Sequence, residues 1–555
     1  MILEYKFEYL SNNNTLVNFL TNIADASDMK FEITKEKNEI NFYVDADEEA
    51  MSSFASTIAS DLPMSVFLQN TAVSLVQEMP PSNIQADKTK QFNLPFCPKC
   101  LQKAESAESS DYYNPFTTCP MCCDTKDIKE FIVSFGDEIK RTDAYKEVFE
   151  DLASRIHQGL GVRFKTLSGT FIFEKLENLQ EDKNQKDIKL LCTNLANISN
   201  VVVAKKAEIV ALACIEKPQM DFRINELYKS KNIIQAKRLS VRYPNDLILY
   251  LLSKELRALG IDFLSYKNEG SYDINVDFEN FDAKESLKIP KLKILEQNRA
   301  LVLESENYDK KFMQVFESLK EKNKAHFMVL LYENSLLQKR ILNFYTSSRD
   351  DDNVSYYAKD LEGFLDVLNY RLPKSIQEVF EDIQKEESGE RLLKNYKNKY
   401  PDSIKTALEF DLSVLKNASI VSFWKIAESI LGFKNSILDN ASLSLLEKGP
   451  RIDYKLFESA RIYNKEFNYI KLIQSGMSFR LAGVDERTIS LGYIESYAHF
   501  ISNIADEVNK EMELEGISLS GDIFADERIS HYVHKSIGKN FKIFYNKDFV
   551  IQTRF

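Results

Sequence analysis

Glycine is scarce in this chain. There are 16 in 555 residues, about 3% against an average near 7%. Loops that cradle phosphate use glycine where backbone must approach an anion or turn with positive φ, so little material exists for them here. Compositional drift toward Lys, Asn and Ile is the other reading of the same number. The sequence contains no GxxxxGK(S/T), no GxSxG and no HExxH, which removes the common nucleotide-loop, hydrolase-elbow and zincin signatures. Seven cysteines are too few for a disulfide scaffold. The longest strongly apolar run, His326–Tyr332, is far short of the roughly 20 residues of a membrane span. The N-terminal Met1-Ile-Leu-Glu-Tyr-Lys lacks the order of basic, apolar and cleavage segments of a signal peptide. A cytoplasmic location is expected. The net charge of −12 lacks the broad basic footprint of a nucleic-acid binder.

A length of 555 residues predicts several domains. In residues 1–80, Ile2–Tyr9 alternates like a strand and Thr15–Ala26 has helical periodicity. Lys30–Thr34 and Glu39–Val44 read as a strand pair. Asp47–Leu62 reads as a helix and Val66–Val76 as a last strand. The order βαββαβ predicts a ferredoxin-like unit. Pro80–Lys88 reads as a linker. A helical, charged stretch is expected over Asp127–Gly159. From Gly161 to about Asp273 strands and helices alternate through Arg163–Phe173, a helix near Leu190–Ile198, Asn200–Lys205, Ala207–Ile215, and a helix over Asp246–Leu259, which predicts an α/β domain. Beyond Ile289, Lys293–Leu303 and His326–Tyr332 read as strands. Amphipathic helices then dominate, as in Ile494–Val508, with late strands at Ile517–Leu519 and Lys542–Tyr545.

The cysteines carry the sharpest signal. Cys97-Pro-Lys-Cys100 and Cys119-Pro-Met-Cys122 are two CxxC knuckles separated by 18 residues. Their four thiolates suit one tetrahedral zinc with a closed shell, hence a structural rather than catalytic ion. Between Cys97 and Cys123 stand Lys99 and Lys103 but no arginine, against Glu105, Glu108 and Asp111. Phosphate contacts and guanine readout need Lys and Arg, so this finger is not read as a DNA reader.

The stretch Phe96-Cys-Pro-Lys-Cys-Leu101, followed by Asp111-Tyr-Tyr-Asn-Pro-Phe-Thr-Thr-Cys-Pro-Met-Cys122, resembles the first zinc finger of the HypF family of hydrogenase-maturation carbamoyltransferases. That family has a CPxCL opening, an RYxYPFTNC approach and the same gap. The resemblance implies an acylphosphatase-like ferredoxin-like domain (1–80), a four-cysteine zinc finger (91–126), a YrdC-like α/β domain (127–275) and a helix-rich ASKHA-like carbamoyl-transfer domain (285–555). The family role that it implies is assembly of nickel–iron hydrogenase. Carbamoyl phosphate is broken down, the carbamoyl group is adenylated with ATP, and it passes to a partner protein on its way to cyanide on the iron.

The chain departs from that pattern at each reactive centre. Leu10-Ser-Asn-Asn-Asn-Thr15 stands where the family has VQGVGFRP, without its Gly or Arg. Val162-Arg-Phe-Lys165-Thr-Leu-Ser-Gly169-Thr resembles AIKGLGGFH, keeping Lys165 and Gly169. Lys183-Asn-Gln-Lys186-Asp-Ile-Lys189 resembles RKxRxxKP, keeping positive charge at Lys186 and Lys189. Ser265-Tyr-Lys-Asn268 resembles TSxN, keeping Asn268. These five residues, Lys165, Gly169, Lys186, Lys189 and Asn268, are the candidate nucleotide ligands that the resemblance implies; as plain residues the lysines also fit a solvated face. Ser422-Phe-Trp-Lys425-Ile-Ala-Glu-Ser-Ile-Leu-Gly432 resembles GRLFDAVAALLG, with Lys425 where the family has Asp. Ile517-Ser-Leu-Ser-Gly521-Asp522-Ile-Phe524 resembles LSGGVF, with Asp522 for the second Gly. No two of the five histidines are placed like the family's HHxAH cluster; His531 and His534 could share a helix face. Two readings follow: a carbamoyltransferase working with substitutions, or a non-catalytic zinc-binding scaffold or regulator acting through protein partners.

Overall fold

A computed structural model describes residues 2–9, 14–26, 29–36, 39–84, 96–117, 128–181, 188–280, 289–294, 302–304, 339–361, 364–457 and 463–544. The chain divides into two compact units, Met1–Glu304 and Ser305–Phe555.

The first unit opens with β1 (Ile2–Tyr9), α1 (Asn14–Ala26), β2 (Lys30–Glu36), β3 (Glu39–Asp45), α2 (Glu48–Asp61) and β4 (Leu68–Val76). This is the element order expected from the sequence. Among the described residues the strands form a four-stranded sheet ordered β2-β3-β1-β4 with antiparallel neighbours. Alternation in β1 buries Tyr5, Phe7 and Tyr9 on one face, where Tyr5 meets Phe54 of α2 edge-on at 5.9 Å. Asp47 caps α2 by accepting from the Ala50 N–H, which satisfies an otherwise orphan donor. Ser82 and Asn83 of the linker pair with Ile33 of β2, and so cover part of that edge strand.

Next come α3 (Pro98–Glu105), β5 (Phe131–Phe135), β6 (Glu138–Thr142) and α4 (Tyr145–His157). The expected helix over Asp127–Gly159 is thus corrected: only Tyr145–His157 is helical. Gly136, at φ +56°, turns a hairpin that pairs Phe135 with Glu138, and β6 is a charged, exposed strand whose composition mimics a helix face. There follow β7 (Val162–Thr166), β8 (Gly169–Lys175), β9 (Lys189–Cys192), β10 (Val202–Val203), α5 (Lys206–Ala213), β11 (Gln219–Ile224), α6 (Glu226–Lys229), β12 (Arg238–Arg242), α7 (Leu247–Ala258), β13 (Phe263–Lys267), β14 (Ile274–Asp277), β15 (Leu292–Ile294) and β16 (Val302–Glu304). The helix expected near Leu190–Ile198 is corrected in its first half, while a 3-10 helix spans Leu195–Asn200. Leu190, Leu191 and Cys192 are wholly buried in β9, between β12 and β13, and a strand buried on both faces shows no alternation to betray it. Among the described residues a ten-stranded sheet runs β10-β11-β12-β9-β13-β8-β7-β14-β5-β6. The segment expected as one strand over Lys293–Leu303 is instead the antiparallel pair β15 and β16.

The second unit contains β17 (Ile341–Tyr345), β18 (Asn353–Tyr357), β19 (Phe364–Asn369), α8 (Ile376–Lys385), α9 (Gly389–Lys399), α10 (Pro401–Leu408), α11 (Ile420–Leu431), α12 (Ile437–Ser442), β20 (Lys455–Leu456), β21 (Lys465–Asn468), α13 (Tyr469–Leu481), α14 (Glu486–Met512), β22 (Gly516–Ser520), α15 (Glu527–Ile537) and β23 (Ile543–Phe544). Among the described residues its sheet is ordered β20-β21-β19-β18-β17-β22-β23. Strands β17 and β22 are parallel, as are β22 and β23, while β18 runs antiparallel to both its neighbours. Long α14 buries Ile494, Tyr497, Ile501, Ile504 and Val508, the stripe expected from the sequence. His326–Tyr332 lies outside the described residues.

Candidate functional site

Cys97 is the N-cap of α3 and Cys100 its third residue, with Pro98 in the first turn. N-cap and third positions stand next to each other, so the two side chains start from neighbouring points on one turn of helix. Both are 1% exposed, and they pack in the apolar core of the first unit together with Ala104. This half of the knuckle pair fits a buried, structural four-thiolate ion. Cys119 and Cys122 lie outside the described residues. The aromatic approach is built into the same unit: Tyr113, at φ +60°, donates its hydroxyl to Glu255 of α7, and Phe116 stacks edge-on with Phe131 of β5 at 5.4 Å.

Three of the five candidate nucleotide residues come to one end of the ten-stranded sheet. The register sets Thr166 opposite Gly169, Ile172 opposite Lys267 and Tyr266 opposite Lys189. The end of β7, the start of β8, the end of β13 and the start of β9 therefore share an edge, bringing Gly169, Asn268 and Lys189 to it. Gly169 has φ +134°, and a Cβ there would lie 3.3 Å from the Phe171 ring, so the turn needs glycine. Asn268 is exposed and Lys189 half-buried. Lys165 is already engaged: its Nζ donates to the Phe278 carbonyl at 2.6 Å, pairs with Asp277 at 2.9 Å and lies over the Phe278 ring at 4.8 Å. Lys186 lies outside the described residues, as does Leu10–Asn13 of the first loop.

Sequence reasoning passed over the residues beneath this edge. Arg242, the last residue of β12, is wholly buried. Asn245 and Asp246, just beyond it, are 2% and 1% exposed. Asp246 caps α7 through the Leu249 N–H at 2.8 Å and also accepts from the Leu167 N–H at 2.9 Å, so it ties the helix to the β7–β8 turn. Ser168 in that turn reaches Asn245 at 3.5 Å. The signal was present: an arginine ending a strand in which polar and apolar residues alternate, before Tyr243-Pro244 and a helix cap.

In the second unit, two stretches far apart in sequence meet at the ends of β17 and β22. Gly521, at φ +95°, sits so close to Thr346 that a Cβ would lie 2.0 Å from its carbonyl oxygen. Asp522 accepts the Ser348 N–H at 2.8 Å and also the Ser348 hydroxyl. Asp352 accepts from the Ser347 N–H at 2.9 Å and from the Ile420 N–H, at the start of α11, at 2.7 Å. Burial pushes the Asp352 carboxyl well above the usual carboxylate range, against the pull of those two N–H groups. Crevices at the carboxyl ends of parallel strands are where ligands enter open α/β sheets; here the donors at that point are filled by the chain's own carboxylates. His531 and His534 lie on α15, and the His534 ring nitrogen Nδ1 is 2.6 Å from the Ser530 carbonyl of its own helix. Among the described residues no group of three or more His, Cys, Asp or Glu side chains is arranged to hold a metal.

The whole chain matches solved structures of HypF. A full-length HypF in the phosphate- and nucleotide-bound form covers 99% of this chain and 96% of its own, with a TM-score of 0.55 and 12% identity. HypF from T. kodakarensis covers 100% of this chain and 96% of its own, with a TM-score of 0.56 and 11% identity. The chain has the fold of HypF. The resemblance read from a single finger therefore extends over both units. Among curated proteins, Protein HydE of Wolinella succinogenes is 23% identical over 538 residues, covering 92% of each chain. No family model matches the sequence. On this HypF fold the corrected strands β5, β6 and β9 all belong to the one large sheet. Among the described residues no helix is long and apolar enough to cross a membrane.

Proposed function

We propose that this chain is a HypF-like protein of nickel–iron hydrogenase maturation, acting among hydrogenase-maturation partners. The observation that carries this reading is the HypF fold over 99% or more of the chain. Cys97, Cys100, Cys119 and Cys122 hold one structural zinc. The acylphosphatase-like assignment of the first domain is supported by the β2-β3-β1-β4 order. The ASKHA-like assignment of the second unit is supported by its central order β19-β18-β17-β22-β23, with β18 alone reversed among β18, β17, β22 and β23. Carbamoyl phosphate and ATP are the substrates that this reading assigns, with Gly169, Lys186, Lys189 and Asn268 beside the nucleotide.

A second reading, a non-catalytic scaffold or regulator paralogue, is favoured by particular contacts. Lys165 is spent on Asp277 and Phe278, and Asp522 fills the Ser348 donors. AMP release from ATP, measured with and without carbamoyl phosphate on one zinc-quantified sample, separates the two. AMP that depends on carbamoyl phosphate establishes the transferase. Zinc at about one per chain with no AMP leaves the scaffold.

A further inference from the structure

The guanidinium of Arg242 is fully buried and lies between two rings, with its Cζ 4.3 Å from the Tyr266 centroid and 4.6 Å from the Phe171 centroid. Its Nη1 reaches Asn245 Oδ1 at 3.5 Å. Its Nε and Nη2 have no hydrogen-bond partner. These two nitrogens form one edge of the planar fork, the edge that meets both oxygens of a carboxylate or phosphate. The nearby carboxylate, Asp246, attracts the guanidinium through space and accepts from the Leu249 and Leu167 N–H groups. Burying a charge without a paired anion is among the costliest arrangements in a protein, and native structures rarely leave such donors unmet. Burial alone works to lower the pKa of this arginine, yet a guanidinium does not shed its proton in proteins.

The position of the group adds a second argument. Tyr266 and Phe171 belong to β13 and β8, the strands whose ends bring Asn268 and Gly169 to the common edge. Of the two rings, Phe171 is the one with partial exposure, and it follows the half-exposed turn Leu167–Thr170. The open fork thus lies one side chain below the surface, under the turn that Asp246 anchors.

We infer that Arg242 is the floor of an oxyanion site in the first unit, where the Nε–Nη2 edge takes a phosphate or carboxylate group that enters past Phe171. The inference stands apart from whether carbamoyl transfer survives, since an anion can bind here with or without AMP formation.

The test uses the full chain and titration calorimetry at fixed ionic strength with three probes: inorganic phosphate, ATP and acetate. Wild type is expected to bind at least one with a Kd near or below about 1 mM. Phosphate binding identifies a phosphate group, ATP without phosphate a nucleotide, and acetate a carboxylate. Arg242→Met is expected to weaken binding by at least about tenfold, and Arg242→Lys, which keeps charge but loses the fork, by a smaller factor. Asn245→Asp places a carboxylate beside the guanidinium; it is expected to raise Tm and to compete the probe away by about tenfold or more. If Arg242→Met does not fold, Asn245→Asp carries the test. Wild type that binds none of the probes, or variants that bind as wild type does, overturns the inference. AMP formation that fails while Arg242-dependent binding persists defeats the transferase reading alone; probe binding that survives Arg242→Met unchanged while AMP still forms defeats this one alone.

Discussion

Asp522 and Ser348 are 174 residues apart in sequence, yet the Asp522 carboxylate accepts both the backbone N–H and the hydroxyl of Ser348, the first at 2.8 Å. A carboxylate with two donors is a charge-assisted clamp between the ends of β17 and β22. Asp522→Ala removes the acceptor and leaves Ser348 to solvent. The expected loss is about 1–2 kcal/mol, at the lower end of charged hydrogen bonds because the pair is exposed. Urea unfolding monitored in the second unit checks it; a change below a few tenths would show that the clamp is ornamental.

Glu428 of α11 is mostly buried, and burial pushes its carboxyl up to about 7, opposed by the Ile437 N–H that it accepts at 2.5 Å. The folded state therefore holds a proton that the unfolded chain releases near 4.5. Its contribution is fully present below that unfolded value and is lost as pH rises through about 7. Stability should fall across this window, and Glu428→Gln, neutral throughout, should flatten that part of the curve. A wild-type and Gln variant with parallel pH profiles from 4 to 8 would refute the assignment.

Cys100 lies in the buried first turn of α3, and the proposed function makes it one of four zinc ligands, which Cys100→Ser removes. Loss of one ligand from a four-thiolate site should release the zinc and cost several kcal/mol, since binding energy of a structural ion is folding energy. Metal content by emission spectrometry and Tm should fall together. Full zinc retention in the Ser variant would remove Cys100 from the ligand set.

Gly492 of α14 faces Gly449-Pro450 with almost no room. A Cβ on Gly492 would lie 2.3 Å from the Pro450 carbonyl oxygen, and one on Gly449 would lie 2.1 Å from the Gly492 nitrogen. Gly492→Ala must push a backbone segment off a helix, and a loss of about 3 kcal/mol or more is expected. Tm measurement decides it. Gly483→Ala, where nothing lies within 4 Å, separates crowding from strain: its φ of +85° leaves only the smaller conformational cost of roughly 1 kcal/mol.

Legibility followed burial pattern. The element order of residues 2–76 was readable because β1 buries alternate residues and α2 repeats at the helical period. Helix α7 was readable from its Asp246 cap and apolar stripe. Strand β6 was not, since its side chains are nearly all exposed and only pairing with β5 makes it a strand. Strand β9 was not, since burial on both faces erases the period. At the candidate site, Gly169 and Asn268 stand in short stretches legible in the sequence, and the pairing of β8 with β13 sets the strand ends that carry them on one edge. The resemblance makes Lys165 a candidate ligand, while its partners, Asp277 and the Phe278 carbonyl, come from β14 and the residue after it, more than 100 residues away.

The sequence by itself determined the order of the first six elements and the apolar stripe of α14, because each depends on residues within one or two turns of chain. Only the tertiary structure decided that Asp522 meets Ser348, that Lys165 is spent on Asp277, and that Arg242 is buried between Phe171 and Tyr266 with one edge unmet. Those outcomes depend on which strands become neighbours. Strand pairing is fixed by the burial of whole faces across long loops, a quantity that no local window of sequence contains.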